Sequence, residues 1–141
     1  MAWWASFRGQ AVLVTGASSG IGRAVAVAFA KAEARVALVA RRRAALVAVA
    51  AEADGETLVV PADVTDPAQV AAAVATAVDA FGHLDVVVNN AGILIPARVE
   101  TMAPADLDAM LRVNVFGALH VLQAALPHLR ARGAGRVVNV A

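Results

Sequence analysis

Short, unbroken apolar runs alternate along this chain with longer stretches whose apolar residues recur at helical spacing. Ala11 to Thr15 (AVLVT) reads as a first strand, ended by a glycine-rich turn. Ile21 to Ala34 is rich in alanine, with Val25 and Phe29 suitably spaced, and predicts a first helix. Val36 to Ala40 is a second strand, and Ala44 to Ala53 a second helix closed by Asp54-Gly55. Thr57 to Val60 follows as a third strand. Asp66 then stands as a helix N-cap before Pro67, and that third helix runs to Phe81, stopped by Gly82. Leu84 to Val88 is a fourth strand. After a loop from Asn89 to Ala103, Pro104 opens a long helical region reaching Arg132; Gly133 and Gly135 stop it, and Arg136 to Val140 is a fifth strand.

Strands joined by connections this long cannot be hairpins; they pair in parallel through right-handed crossovers. The fold class is therefore α/β, a doubly wound parallel sheet, in one domain over residues 1–141. No low-complexity linker interrupts it.

Composition sharpens this picture at one point. The hydrophobic fraction of 60% is high for a soluble domain. A membrane span needs about 18 or more apolar residues in a run, whereas the longest uninterrupted stretch here is Ala44 to Ala51. A sheet buried on both faces explains the excess better, because its strands are apolar throughout. Some of the surplus would serve a partner, or residues of a longer parent. A net charge of +1, with Arg41, Arg42 and Arg43 as the only basic cluster, gives no reason to expect nucleic acid. There is no cysteine for disulfides or thiolate metal sites, and His83, His120 and His128 lack carboxylates at metal-ligand spacing, so no metal is expected. Met1 to Gln10 has no signal-peptide pattern and Ala2 excludes myristoylation, which leaves a cytoplasmic location as the default expectation.

The strongest chemical signal is the first turn, Thr15-Gly16-Ala17-Ser18-Ser19-Gly20-Ile21-Gly22. It follows a strand and opens a helix. In that context glycines permit a tight turn and close approach of a pyrophosphate, whose charge the helix N-terminus favours. The plainer reading is a tight turn and nothing more.

Together with Asp63-Val64 after the third strand, Asn89-Asn90-Ala91-Gly92 after the fourth, Asn114 in Leu111-Arg112-Val113-Asn114-Val115, and the closing segment GRVVNVA, this turn resembles the short-chain dehydrogenase/reductase family. The motifs run in order from Gln10 to Ala141. The resemblance implies a Rossmann-like fold, of which this chain supplies the first five strands in the order 3-2-1-4-5. It also implies roles. Gly16, Ser18, Ser19, Gly20, Ile21 and Gly22 would cradle the pyrophosphate and its ribose. Asp63 would accept a hydrogen bond from the adenine amino group, with Val64 against the ring; alternatively, Asp63 belongs to an ordinary strand-end turn. Asn90, Ala91 and Gly92 would follow the nicotinamide-side ribose, and Asn89 would tie neighbouring strands. Asn114 would hold a local helix distortion and a water in a proton relay.

Cofactor preference has a physical reading of its own. A carboxylate ending the second strand would bind the ribose 2′-hydroxyl of NAD and repel a 2′-phosphate. Ala40 stands there, followed by Arg41, whose guanidinium can pair bidentately with a phosphate. NADP is expected over NAD. The competing reading makes Arg41 to Arg43 a solvated loop.

The family's reaction also requires a Tyr with a Lys four residues later, and a Ser that orients the substrate carbonyl. This sequence has no tyrosine; its one lysine, Lys31, lies on the first helix, and its serines, Ser6, Ser18 and Ser19, precede the second strand. Of the family's four catalytic residues only Asn114 is present. The expectation is a truncated parent: an NADP-dependent oxidoreductase acting on a small-molecule alcohol or carbonyl, as a homo-oligomer, with these 141 residues inactive by themselves. The alternative is a short non-catalytic nucleotide-binding or interaction protein. Two local departures carry structural expectations. Glu33 replaces a helix-ending glycine, so the first helix should end less sharply, and Ala103 offers no side-chain cap before Pro104. The sequence assigns Trp3 and Trp4 no role; packing under the sheet edge is favoured over ligand contact.

Overall fold

The computed structural model describes residues 7–141; Trp3 and Trp4 lie outside the described residues. Strands β1 (Ala11–Thr15), β2 (Arg35–Ala40), β3 (Thr57–Pro61), β4 (Val86–Asn89) and β5 (Arg136–Asn139) form one parallel sheet in the order β3-β2-β1-β4-β5. This is the expected order. Five helices connect them: α1 (Gly20–Lys31), α2 (Arg43–Ala53), α3 (Pro67–Phe81), α4 (Pro104–Leu111) and α5 (Ala118–Arg132).

Alternate residues of each central strand serve opposite faces, and both faces are covered. Val12, Val14, Val36, Leu38, Val86 and Val88 pack with Ala26, Val27 and Ala30 of α1 and Leu46 and Val49 of α2. Leu13, Ala37, Val39 and Val87 pack on the other side with Val70, Val74 and Phe81 of α3 and Val121, Ala125 and Leu129 of α5. Each of the larger side chains, fully buried, contributes about 1.5–3 kcal/mol. This two-sided burial accounts for the unbroken apolar strands. Beyond it, Leu107, Leu111, Val115 and Leu119 recur every four residues on an exposed face, and Val137 and Val138 of β5 are exposed as well.

Several ends differ from the sequence reading. Helix α1 stops at Lys31, short of the expected Ala34. Ala34 N–H donates to Phe29 O at 3.1 Å and Glu33 N–H to Ala30 O at 2.9 Å, while Glu33 takes φ +63°. That is the paired bond pattern of a Schellman stop. The end is sharp despite the missing glycine, at a cost of about 1–2 kcal/mol for a left-handed non-glycine residue. Strand β4 begins at Val86 rather than Leu84 and runs on through Asn89. At its foot the carboxylate of Asp85 takes the bond that a strand carbonyl would: Ala11 N–H donates to Asp85 Oδ2 at 2.8 Å. Helix α3 starts as expected, Asp66 accepting from the N–H groups of Ala68 and Gln69.

The long helical region is two α-helices joined by a π-helical turn, Arg112–Gly117. Ala103 makes no side-chain cap. Among the described residues, Pro104–Arg132 is one helix long and apolar enough to cross a membrane by length and composition alone. Counting uninterrupted apolar runs missed it, because a run stops at each charge whereas a helix averages over them. In the fold this helix lies along α3, with Val121, Ala125 and Leu129 buried.

Candidate functional site

Strand order reverses between β1 and β4, so the connections leaving their carboxyl ends diverge and open a crevice. Thr15 closes β1 there, fully buried. Its hydroxyl accepts from the N–H groups of Asn90 at 3.1 Å and Ala91 at 3.0 Å, and donates to Val88 O at 3.4 Å. One donor and two acceptor sites are thereby all used. Asn90 Nδ2 reaches back to Thr15 O at 3.2 Å and Gly16 O at 3.4 Å. The loop after β4 is thus laced to the turn after β1.

Glycine is required where these loops meet. Gly16 has φ +65°, and a Cβ on it would come within 2.8 Å of Asn90 Nδ2. A Cβ on Gly22 would collide with Gly16 O and Asn90 Nδ2. Gly20, at φ +55°, has open space around its would-be Cβ. Ser19 is the N-cap of α1 yet makes no side-chain cap bond, so the first amides of this helix have no side-chain acceptor, unlike those of α3. An anion at that end would meet free N–H groups and the positive end of the helix dipole.

The second wall comes from the end of β3. Asp63 Oδ1 accepts from Thr65 N–H at 2.9 Å and from Thr65 Oγ1 at 2.8 Å, the turn geometry anticipated as its plainer role. Val64 is buried, and its carbonyl accepts from His120 Nδ1 at 2.9 Å. A Cβ on Gly117 would stand 2.7 Å from Val64 Cγ2, so the π-helical turn is seated directly on Val64. Within that turn Asn114 grips one residue at both ends: its Oδ1 accepts from Ile93 N–H at 2.8 Å and its Nδ2 donates to Ile93 O at 2.9 Å.

These walls enclose a cleft of about 540 Å³. Of the residues singled out from the sequence, Gly16, Ser18, Ser19, Arg41, Asp63, Val64, Asn90, Ala91 and Gly92 line it. Gly20, Ile21 and Gly22 stand at the start of α1 beside it, and Asn114 sits behind Ile93. Arg42 lines the cleft too, and neither its guanidinium nor that of Arg41 has an ionic or hydrogen-bond partner among the described residues. Asn89 Nδ2 donates to Asn139 Oδ1 at 3.1 Å and to Ala118 O at 3.4 Å, joining β4 to β5 and α5. Its Oδ1 is buried without a partner among the described residues.

The family model described as short chain dehydrogenase matches residues 10–141, nearly all of the sequence. The chain belongs to the short-chain dehydrogenase family. Among similar proteins, an uncharacterised oxidoreductase of Staphylococcus epidermidis is 37% identical over 137 residues, 97% of this chain and 60% of its own length. A ketoacyl reductase of Nostoc is 38% identical, covering 94% of this chain and 47% of the relative. The crystal structure of levodione reductase superposes with a TM-score of 0.90 at 37% identity, over 94% of this chain and 54% of that one. The chain therefore spans about half the length of these relatives.

Two positioning residues escaped the sequence reading. Thr15 was quoted within the turn but given no role, and a buried hydroxyl at the end of a strand was its only signal. His120 was set aside as an isolated histidine. Its partner, Val64 O, is 56 residues away in sequence, and no local pattern marks such a pair.

Proposed function

We propose that this chain is the nucleotide-binding part of an NADP-dependent short-chain oxidoreductase that moves hydride between the cofactor and an alcohol or carbonyl substrate. The observation that carries the cofactor preference is the rim of the cleft: Ala40, Arg41 and Arg42 line it, with no carboxylate at the end of β2 and no partner on either guanidinium. A 2′-phosphate would meet two free cations there.

The residues present fit a dinucleotide. Gly16 and Gly22 keep the turn closed against Asn90, Gly20 leaves room above, and the amides starting α1 would hold the pyrophosphate. Asp63 and Val64 would receive the adenine, and Asn90, Ala91 and Gly92 the second ribose. When bound, the nicotinamide supplies the hydride donor or acceptor. Asn114 would hold the loop through Ile93 and keep the wall of the cleft in place. The names of the ketoacyl and levodione reductases support a carbonyl substrate. Because the sequence lacks the family's Tyr and Lys pair, this chain alone is expected to bind nucleotide without turnover.

Titration of the chain with NADPH and NADH tests the preference. Wild type should bind NADPH more tightly, and Arg41→Asp should weaken NADPH roughly 30-fold while leaving NADH within a few-fold. A wild-type preference for NADH would overturn it. The second reading, a non-catalytic nucleotide-binding protein, is favoured by the absence of tyrosine. It predicts the same titration but no hydride transfer in any longer form of the protein.

A further inference from the structure

We infer that Arg112 is a binding residue for the adenine base, its guanidinium lying flat over the purine. This rests on the nucleotide reading above and adds a contact to it. Arg112 lines the same cleft as Asp63, Val64, Ala109 and Val113. Arg112 opens the π-helical turn that Gly117 closes, and Gly117 is seated against Val64, so the helix carrying Arg112 is held against the β3 end loop, where Asp63 and Val64 form the wall.

The state of its guanidinium favours a base over a phosphate. Nε donates to Asp108 Oδ2 at 2.6 Å, an i,i+4 pair on the exposed helix surface. That bond fixes the plane, offsets the charge, and leaves both Nη atoms without a partner among the described residues. Arg41 and Arg42 differ in having no carboxylate, which suits them to an anion. The cleft that Arg112 lines also carries Ala62, Val64, Ala109 and Val113, small apolar surfaces that suit a purine ring. An oriented guanidinium stacks on such a ring, and an ammonium does not.

Calorimetric titration of the full chain with 5′-AMP, NADH and NADPH separates the possibilities, with Arg112→Ala and Arg112→Lys beside wild type. Expected is an equal loss for all three ligands, roughly five- to twentyfold, in both variants. Unchanged AMP affinity in Arg112→Ala would overturn the inference. So would a loss confined to NADPH and restored by Arg112→Lys, the signature of a phosphate contact. If wild type bound neither AMP nor NADPH, the nucleotide reading itself would fail and this contact with it. If wild type preferred NADH yet lost AMP affinity in both variants, the NADP preference would fail and the adenine contact would stand. Arg112 is exposed, and matching unfolding midpoints for the three proteins confirm that the fold is intact.

Discussion

A single methyl group at Gly22 has nowhere to go. It would point at Gly16 O and Asn90 Nδ2, and both are held, Gly16 by the turn and Asn90 by its bonds to the end of β1. Gly22→Ala is therefore expected to destabilise the chain by about 1–3 kcal/mol, the usual range for overpacking. It should also weaken NADPH binding by more than tenfold, because the turn cannot open without moving the amides at the start of α1. Urea unfolding and nucleotide titration check the two effects separately. Gly20, with open space and a positive φ, should cost only backbone strain when replaced. Thr15 belongs to the same scale: its one hydroxyl sets the position of two amides on another loop.

Elements meet at the π-helical turn. Seating Gly117 on Val64 and bonding His120 to Val64 O bring the α4–α5 helix down onto the β3 end loop. Asn114 then pins Ile93, and a Cβ on Gly92 would stand only 3.3 Å from Asn114 Oδ1. One helical region and two loops share this anchor. Asn114→Ala removes both bonds to Ile93, and the expected loss is about 1–2 kcal/mol of local stability. Hydrogen exchange at the Ile93 amide should accelerate roughly tenfold or more, while amides of β1 and β2 stay as in wild type. Unaltered exchange at Ile93 would mean that other contacts hold the loop. The sequence suggested a distortion at Asn114, but the π register and its direction come from tertiary contacts.

The whole molecule is fastened at the other end of the sheet. Asp85 is buried there, with Ala11 N–H, Arg132 Nε at 2.8 Å and His83 Nε2 at 3.0 Å on its two oxygens. Burial by itself would raise its pKa; the Ala11 amide, Arg132 and His83 outweigh that and hold the carboxyl below the ordinary value near 3.8. A folded-state pKa below the unfolded one means that the unfolded chain binds more protons at acid pH. The stabilisation is thus complete above the unfolded value and is lost as pH falls through the folded value. Asp85→Asn should cost about 1–3 kcal/mol at neutral pH, since Arg132 is half exposed and can be solvated. It should also flatten the acid limb of stability below about pH 4. Denaturant unfolding at neutral pH and at pH 3 measures both.

Much of the fold and the cleft was legible because its causes are local. Strand and helix periods, Asp66-Pro67 as a helix start, and glycines in a strand-to-helix turn all follow from steric and hydrogen-bonding rules within a few residues. The fold class and most of the cleft lining could therefore be read from the chain alone. What remained depends on groups distant in sequence. The sharp stop at Glu33 could not be read locally, because a left-handed glutamate persists only when the surrounding backbone bonds require it. Asp85 could replace a strand carbonyl only once β1 lay beside it, and Thr15 gained its role only when the loop after β4 arrived. His120 acquired its partner when the π-helical turn settled on Val64. Local propensity determined the elements and the glycine-rich turn; packing between segments dozens of residues apart decided which side chains face the cleft and what holds them there.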